Sequence, residues 1–161
     1  MKCLFIFPLL FLLRLTDGGS GDRPAPNPDF VDPTGTYILT GNVRNNRVTG
    51  HSGELRVRLL NQHSAAVCFY INKGYPDYES GAFVDTLSYE ENRFMWTSAA
   101  DTTCSLLFDF QPAAVEIIRI VSDPNCTCGF APDVLIPATF YRSSRDVPVI
   151  QDLSAHGSKP N

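Results

Sequence analysis

The sequence predicts an all-β domain, a single antiparallel β-barrel of about eight strands held by disulfides. Apolar and polar residues alternate with a period of two, and no window carries a helical stripe. The connections between the alternating runs are short and rich in turn residues, as hairpins require. Four of the five cysteines, Cys68, Cys104, Cys126 and Cys128, fall inside this strand-like region.

The chain of 161 residues opens on what reads as a secretory signal peptide, Met1 to Gly21. Lys2 supplies a minimal basic start, Leu4 to Leu13 an apolar core, and Gly18-Gly19-Ser20-Gly21 the small residues at which cleavage is expected. That core is about half of the roughly 20 residues a membrane span needs, so no spanning segment is expected after leader removal. Cys3 leaves with the leader. Export predicts a secreted or periplasmic location, where thiols oxidise and an even set of cysteines is expected to pair.

Asp22 to Pro33 carries Pro24, Pro26, Pro28 and Pro33 and reads as an extended, unpaired linker. The domain itself is expected at Thr34 to Ser144, followed by a flexible C-terminal tail, Arg145 to Asn161, of which Val147 to Ile150 is the part able to pack on the body. The roughly 140 residues left after cleavage suffice for one core. Removing Lys2, Arg14 and Asp17 from 13 basic and 17 acidic residues leaves 11 against 16, a formal charge of −5. A mildly acidic chain without a basic cluster lacks the electrostatic footprint of a nucleic-acid binder.

Within the domain, strands are expected at Thr36 to Val43, Glu54 to Leu60, Ala65 to Asn72, Gly81 to Tyr89, Arg93 to Ser98, Cys104 to Gln111, Ala114 to Ser122 and Ala138 to Ser143. Leu55, Val57 and Leu59 share one face while Arg56 and Arg58 take the other, the signature of a strand with one wet side. Val67, Phe69 and Ile71 group in the same way, as do Cys104, Leu106, Phe108 and Phe110. Turn residues at Asn45-Asn46, Asn61 to Ser64, Glu90 to Asn92 and Gln111-Pro112 favour antiparallel pairing.

A helix-free chain of this kind closes its sheet or stacks two sheets, because open edges invite aggregation. Closure is the favoured arrangement and a β-sandwich the alternative. Thr34-Gly35-Thr36-Tyr37 echoes Ala138-Thr139-Phe140-Tyr141, and pairing of first and last strands there would close the barrel.

Cys126 and Cys128 are too close in sequence to bond to each other without strain, so each is expected to reach Cys68 or Cys104. Either pairing fits the sequence. Zinc would want C-x2-C knuckles and thiol exchange a C-x-x-C motif, and the sequence has neither.

Gly35-Thr36-Tyr37, Gly53-Glu54-Leu55-Arg56-Val57, Val67-Cys68-Phe69, Cys104-Ser105-Leu106-Leu107-Phe108-Asp109-Phe110, Cys128-Gly129-Phe130 and Phe140-Tyr141-Arg142 follow one another in a recognisable order. Over about residues 33 to 143 the chain resembles a group of small exported bacterial proteins of Bacteroidetes type. Their pattern is a leading G-x-Y, a C-x-[LI]-x-F-x-F strand, a C-G-F-G turn and a closing G-x-[YF]. Ala131 and Ala138 depart from it, standing where the group carries glycine. The resemblance implies a β-barrel-like fold and a bridge between Cys104 and Cys128, with Cys68 and Cys126 as an added pair. It implies no activity, since the group is of unassigned function.

Residues suited to catalysis are present without the spacing that catalysis needs. Gly50-His51-Ser52-Gly53 approaches the hydrolase elbow G-x-S-x-G, yet Glu54 stands at the last glycine and no strand-to-helix turn follows, so His51 and Ser52 read as hairpin-turn residues. His51, His63 and His156 lack metal-ligand spacing, and no cofactor, metal or catalytic residue is expected. Acids such as Asp85, Asp101, Asp109 and Glu116 read as solvated strand faces. Trp96 reads as core or barrel-end packing. Asn125-Cys126-Thr127 matches a glycosylation sequon, of little meaning in a bacterial host.

The segment Lys73 to Gly81 is the best recognition candidate. Tyr75, Asp77, Tyr78 and Glu79 offer two aromatics beside two acids on a longer loop, the mixture of a hot spot for a basic or amphipathic partner. The competing reading makes both rings a lid on one barrel mouth, with Gly74 and Gly81 serving the turns. The expectation is therefore a monomeric, non-enzymatic module, a binding or inhibitor-like domain for an unknown protein or small ligand. A structural envelope or surface component is the alternative, and a small secreted hydrolase the remaining one.

Overall fold

The computed structural model describes residues 29–123 and 125–150. The leader, linker residues 22–28 and tail residues 151–161, His156 among them, lie outside the described residues. Nine strands follow in order: β1 Gly35–Leu39, β2 Asn42–Arg44, β3 Arg47–Asn61, β4 Ser64–Gly74, β5 Ser80–Ser88, β6 Arg93–Thr97, β7 Cys104–Gln111, β8 Ala114–Val121 and β9 Ala138–Ser144. No helix occurs among the described residues.

Eight of the strands form one antiparallel sheet in the order β5-β4-β3-β1-β9-β8-β7-β6, which curls into a nearly closed barrel. β2 stands outside this path and pairs with β3 alone. First and last strands do meet, with Ile38 opposite Tyr141 and Tyr37 opposite Arg142. The period-two pattern directs alternate residues inward: Leu55, Val57, Val67, Phe69, Phe108 and Phe140 are fully buried. Aromatic rings fill the interior, with Phe69 packed against Phe83, Phe108 and Phe140 at centroid distances of 5.4 to 5.8 Å.

Two strand expectations change. The run Thr36 to Val43 splits into β1 and β2, which both pair along a β3 that begins at Arg47 rather than Glu54. The turn between β2 and β3 is made by Asn45 and Asn46, both with left-handed φ (49° and 58°), as a two-residue hairpin requires. His51 and Ser52 consequently sit within β3 and not in a turn.

The two ends of the barrel are closed differently. At one end Asp29 to Pro33, read as free linker, stays outside the sheet but is docked. Val31 N–H donates to Asn92 Oδ1 (2.8 Å), Tyr89 Oη donates to the Val31 carbonyl (2.6 Å), and Phe30 packs edge-on against Tyr89. At the other end lies the long loop between β8 and β9, which buries Val134 and Leu135. A bridge from Cys128 to Cys104 ties this loop to the first residue of β7.

The barrel stays open at a seam between β5 and β6, which touch through the Glu90 and Arg93 backbones at one end and then share no strand ladder. Side chains fill the seam. Trp96 of β6 stacks on Phe83 of β5 at 4.2 Å and 3°, and Phe130 of the long loop stacks on the Trp96 side at 5.8 Å. Phe130 lies so tightly on β5 that a Cβ on Gly81 would come within 2.2 Å of its ring. Gly81 is therefore a strand residue that makes room for this ring, not a turn residue.

Gly81→Ala should destabilise the fold by about 1–3 kcal/mol in urea unfolding, since overpacking must displace Phe130. In the double variant Gly81→Ala, Phe130→Ala the two costs should fall well short of additive. Strict additivity would mean that the two residues are not in contact.

Candidate functional site

The turn joining β4 to β5 carries Tyr75, Asp77, Tyr78 and Glu79, and its backbone is held at Tyr75, Tyr78 and Glu79. Asn72, buried at the end of β4, donates from Nδ2 to the Tyr78 carbonyl (2.6 Å) and accepts the Gly74 N–H at Oδ1 (2.7 Å). Tyr78 N–H donates to the Gly74 carbonyl and Lys73 N–H to the Glu79 carbonyl. Tyr75 N–H donates at 2.8 Å to the Val48 carbonyl of β3, which fastens the turn to the β2–β3 hairpin. Gly74 has φ +76°, and a Cβ there would lie 2.6 Å from the Gly50 carbonyl, so only glycine fits. Tyr78 takes a left-handed φ of 54°, and the Tyr75-Pro76 peptide is cis.

On this frame the two tyrosines are 44% and 47% exposed. They do not lid the barrel mouth, a place taken by the long loop. The rings meet edge-to-face at 6.3 Å, and the Arg47 guanidinium lies 4.5 Å over the Tyr75 ring. Lys73 Nζ contacts both Glu79 Oε2 (2.5 Å) and Asp77 Oδ2 (3.3 Å). The hydrogen bond to Glu79, then the one to Asp77, raises the Lys73 ammonium above its ordinary value. Two carboxylates share the Lys73 ammonium, and with Arg47 over the Tyr75 ring the charges at the turn balance, Asp77 being the more exposed of the two acids.

Arg47, Val48 and Asn72 belong to this site and were not singled out from the sequence. Arg47 and Val48 meet Tyr75 beside the parallel bridge of Thr49 with Tyr75, beyond the antiparallel β3–β4 ladder, and Asn72 looks in sequence like an ordinary strand end.

The cysteines divide. Cys104 and Cys128 form the disulfide, with Cα atoms 5.0 Å apart, but Cys68 and Cys126 are free thiols, so the expected second bridge is absent among the described residues. Cys68 follows the alternation of β4 outward, opposite Arg56 on β3 and Val84 on β5. Cys126 is buried in the long loop with Sγ 3.9 Å from the Thr103 carbonyl, on the β7 side. A disulfide needs Cα atoms within about 7 Å, which one thiol outside the wall and one inside the loop do not offer. Burial pushes the Cys68 thiol above its ordinary value.

The other residues with catalytic chemistry are dispersed. His51 Nε2 sits 2.7 Å from the Asp133 carbonyl, tying β3 to the long loop, and successive residues His51 and Ser52 point to opposite faces. His63 lies in the β3–β4 turn. Asp109 pairs with Arg93 at 2.9 Å, and Asp101 is held below the usual carboxylate range by the Thr103 hydroxyl. Trp96 is only 9% exposed and belongs to the seam. Among the described residues no group of three His, Cys, Asp or Glu side chains converges as metal ligands would. A shallow depression of about 230 Å³ lies at the opposite end, against Pro112, Arg142 and Arg145.

The most perturbed groups serve the fold. Burial pushes the Tyr37 phenol up to about 12 against the opposing effect of Arg142, and burial likewise raises Tyr89. Tyr37 Oη donates to the Pro33 carbonyl at 3.0 Å and accepts from Arg142, whose guanidinium also covers the Tyr37 ring.

No known family model, curated protein or solved structure gives a significant match to the chain.

The unfolded phenol of Tyr37 ionises near pH 10 and the folded one only near 12. Between these values the unfolded chain holds fewer protons, so stability falls as pH rises. In Tyr37→Phe the fall in urea midpoint from pH 10 to about 11.5 should be shallower, with the remainder due to Tyr89. An unchanged slope would remove Tyr37 from this account.

Proposed function

We propose that this protein is an exported, non-catalytic binding module, related to the small exported bacterial proteins it resembles, whose Tyr75 to Glu79 turn engages a protein or small ligand. The observation that carries this reading is that two tyrosine rings are almost half exposed on a backbone already fixed by hydrogen bonds. Exposed aromatics on a mobile loop would lose conformational freedom on association, whereas a preordered turn avoids most of that cost. Tyrosine is also among the residues that dominate interface energetics.

The barrel interior is occupied by its own aromatic rings, so recognition is assigned to the outer surface. The shared Lys73, with Asp77 58% exposed, favours a partner that brings a basic or amphipathic side chain. A purely structural role would be better served by rings packed against the barrel.

The test is capture from host or envelope extract on the immobilised chain, compared with a Tyr75→Ala, Tyr78→Ala variant of equal thermal stability. A specific partner should be retained by the parent and fall at least about tenfold with the variant, the loss of roughly 1.4 kcal/mol or more expected of a hot spot. Equal recovery on both would take this turn out of contention.

A further inference from the structure

A free, buried thiol sits beside the only disulfide among the described residues. Cys126 precedes Cys128 by two positions, is 7% exposed, and directs its Sγ at the carbonyl of Thr103, the residue immediately before Cys104. The same carbonyl accepts the backbone N–H of Ser122 at 3.0 Å, which pins the start of the long loop against the start of β7. Cys126 is thus held next to the half of the bridge that belongs to the sheet.

From this we infer that Cys126 is an exchange partner for the Cys104–Cys128 bridge, so that the long loop can be anchored to β7 through either of two cysteines. The Cys126 thiolate attacks Sγ of Cys104. A Cys126–Cys104 bond forms as the Cys104–Cys128 bond breaks, and Cys128 departs as the thiolate, which takes up the proton that Cys126 gave to solvent. One disulfide and one thiol are present before and after, so no oxidant or reductant enters. Attack on Cys128 is disfavoured, because bridging two cysteines with one residue between them is strained.

The backbone at the present anchor has a reason to yield. Cys128 (φ 54°) and Gly129 (φ 78°) are consecutive left-handed residues, and for Cys128 that conformation is unfavourable. Release of Cys128 relaxes the turn that presents Phe130, two residues on, to Gly81 and Trp96. The exchange therefore governs the plug in the β5–β6 seam. This inference is independent of the proposed binding role, since it rests on the cysteines, the long loop and the seam and on none of the turn residues Tyr75 to Glu79.

The full chain is incubated at pH 6, 7 and 8, quenched in acid, unfolded, alkylated at low pH and mapped by peptide mass. Expected is a Cys104–Cys126 peptide with free Cys128, forming at a rate independent of protein concentration. That rate should rise from pH 6 to pH 8, because the attacking species is the thiolate. A red shift of Trp96 emission should keep the same time course. Cys128→Ser should still bridge Cys104, now to Cys126, whereas Cys126→Ser should hold Cys104–Cys128 at every pH. Detection of Cys104–Cys128 alone at all three pH values in the parent chain would overturn the inference, as would formation proportional to concentration. Exchange without a change in Trp96 emission would overturn the release of Phe130.

Discussion

The structure depends on how one unpaired seam is closed. An antiparallel sheet that almost meets itself leaves two strand edges, β5 and β6, without partners, and such edges are hazards unless covered. Here the cover is a side chain. Phe130 extends the Phe83–Trp96 stack and lies in the space left by Gly81, so the seam is packed by rings where backbone hydrogen bonds stop. Phe130 belongs to an irregular loop, and the Cys104–Cys128 bridge two residues earlier limits how far it can move. In the chain-entropy picture a closure of 24 residues restrains the unfolded chain by about 3.5 kcal/mol. Its folded-state effect is as important, because it fixes the position from which Phe130 reaches β5.

The opposite end needs no covalent help. The segment Asp29 to Pro33 is held by Asn92, by Tyr89 Oη and by the pair Tyr37 and Arg142, whose guanidinium donates to the Asp32 carbonyl. These polar atoms sit at the rim of an apolar interior, where Asn92, the two phenols and Arg142 Nη2 each reach a backbone partner, while Arg142 Nε is buried without one. Burial at this end raises both phenols above their ordinary value. The barrel is thus closed at one end by the docked segment Asp29 to Pro33 and at the other by a tethered loop, with its interior filled.

Much of this was legible because β-strands write their burial in alternate residues. Leu55 and Val57 opposite Phe69 and Val67, and the run from Cys104 to Phe110, announce their inward faces directly. The echo of Thr36-Tyr37 in Thr139-Phe140-Tyr141 marked the strands that meet. What stayed hidden depends on register or on glycine. Residues 47 to 53 were not recognised as strand because Gly50 and Gly53 interrupt the alternation, and so His51 was misread as a turn residue. Gly81 looked like punctuation, when its lack of a side chain answers to Phe130 some 50 residues away. The family resemblance pairs Cys68 with Cys126, yet the alternation of β4 turns Cys68 away from the core. The candidate loop is visible as composition alone, whereas Asn72 arranges it through local side-chain bonds that composition does not announce and Arg47 reaches it only because Thr49 bridges to Tyr75.

The seam and the candidate site meet on β5. Glu79, which grips Lys73, is followed by Ser80 and then Gly81, on which Phe130 rests. The turn is bound on its β4 side by Asn72 and Lys73 and on its β3 side by the Val48 carbonyl, but on its β5 side the nearest restraint beyond the β4 ladder is the Phe130 ring. A displacement of the long loop acts first on Gly81, and through two peptide units on Glu79. Such short mechanical connections transmit because packed elements shift between discrete arrangements and do not deform continuously. The disulfide that anchors the loop and the turn that carries the exposed tyrosines are therefore linked by the first residues of a single edge strand, which is laddered on one side only.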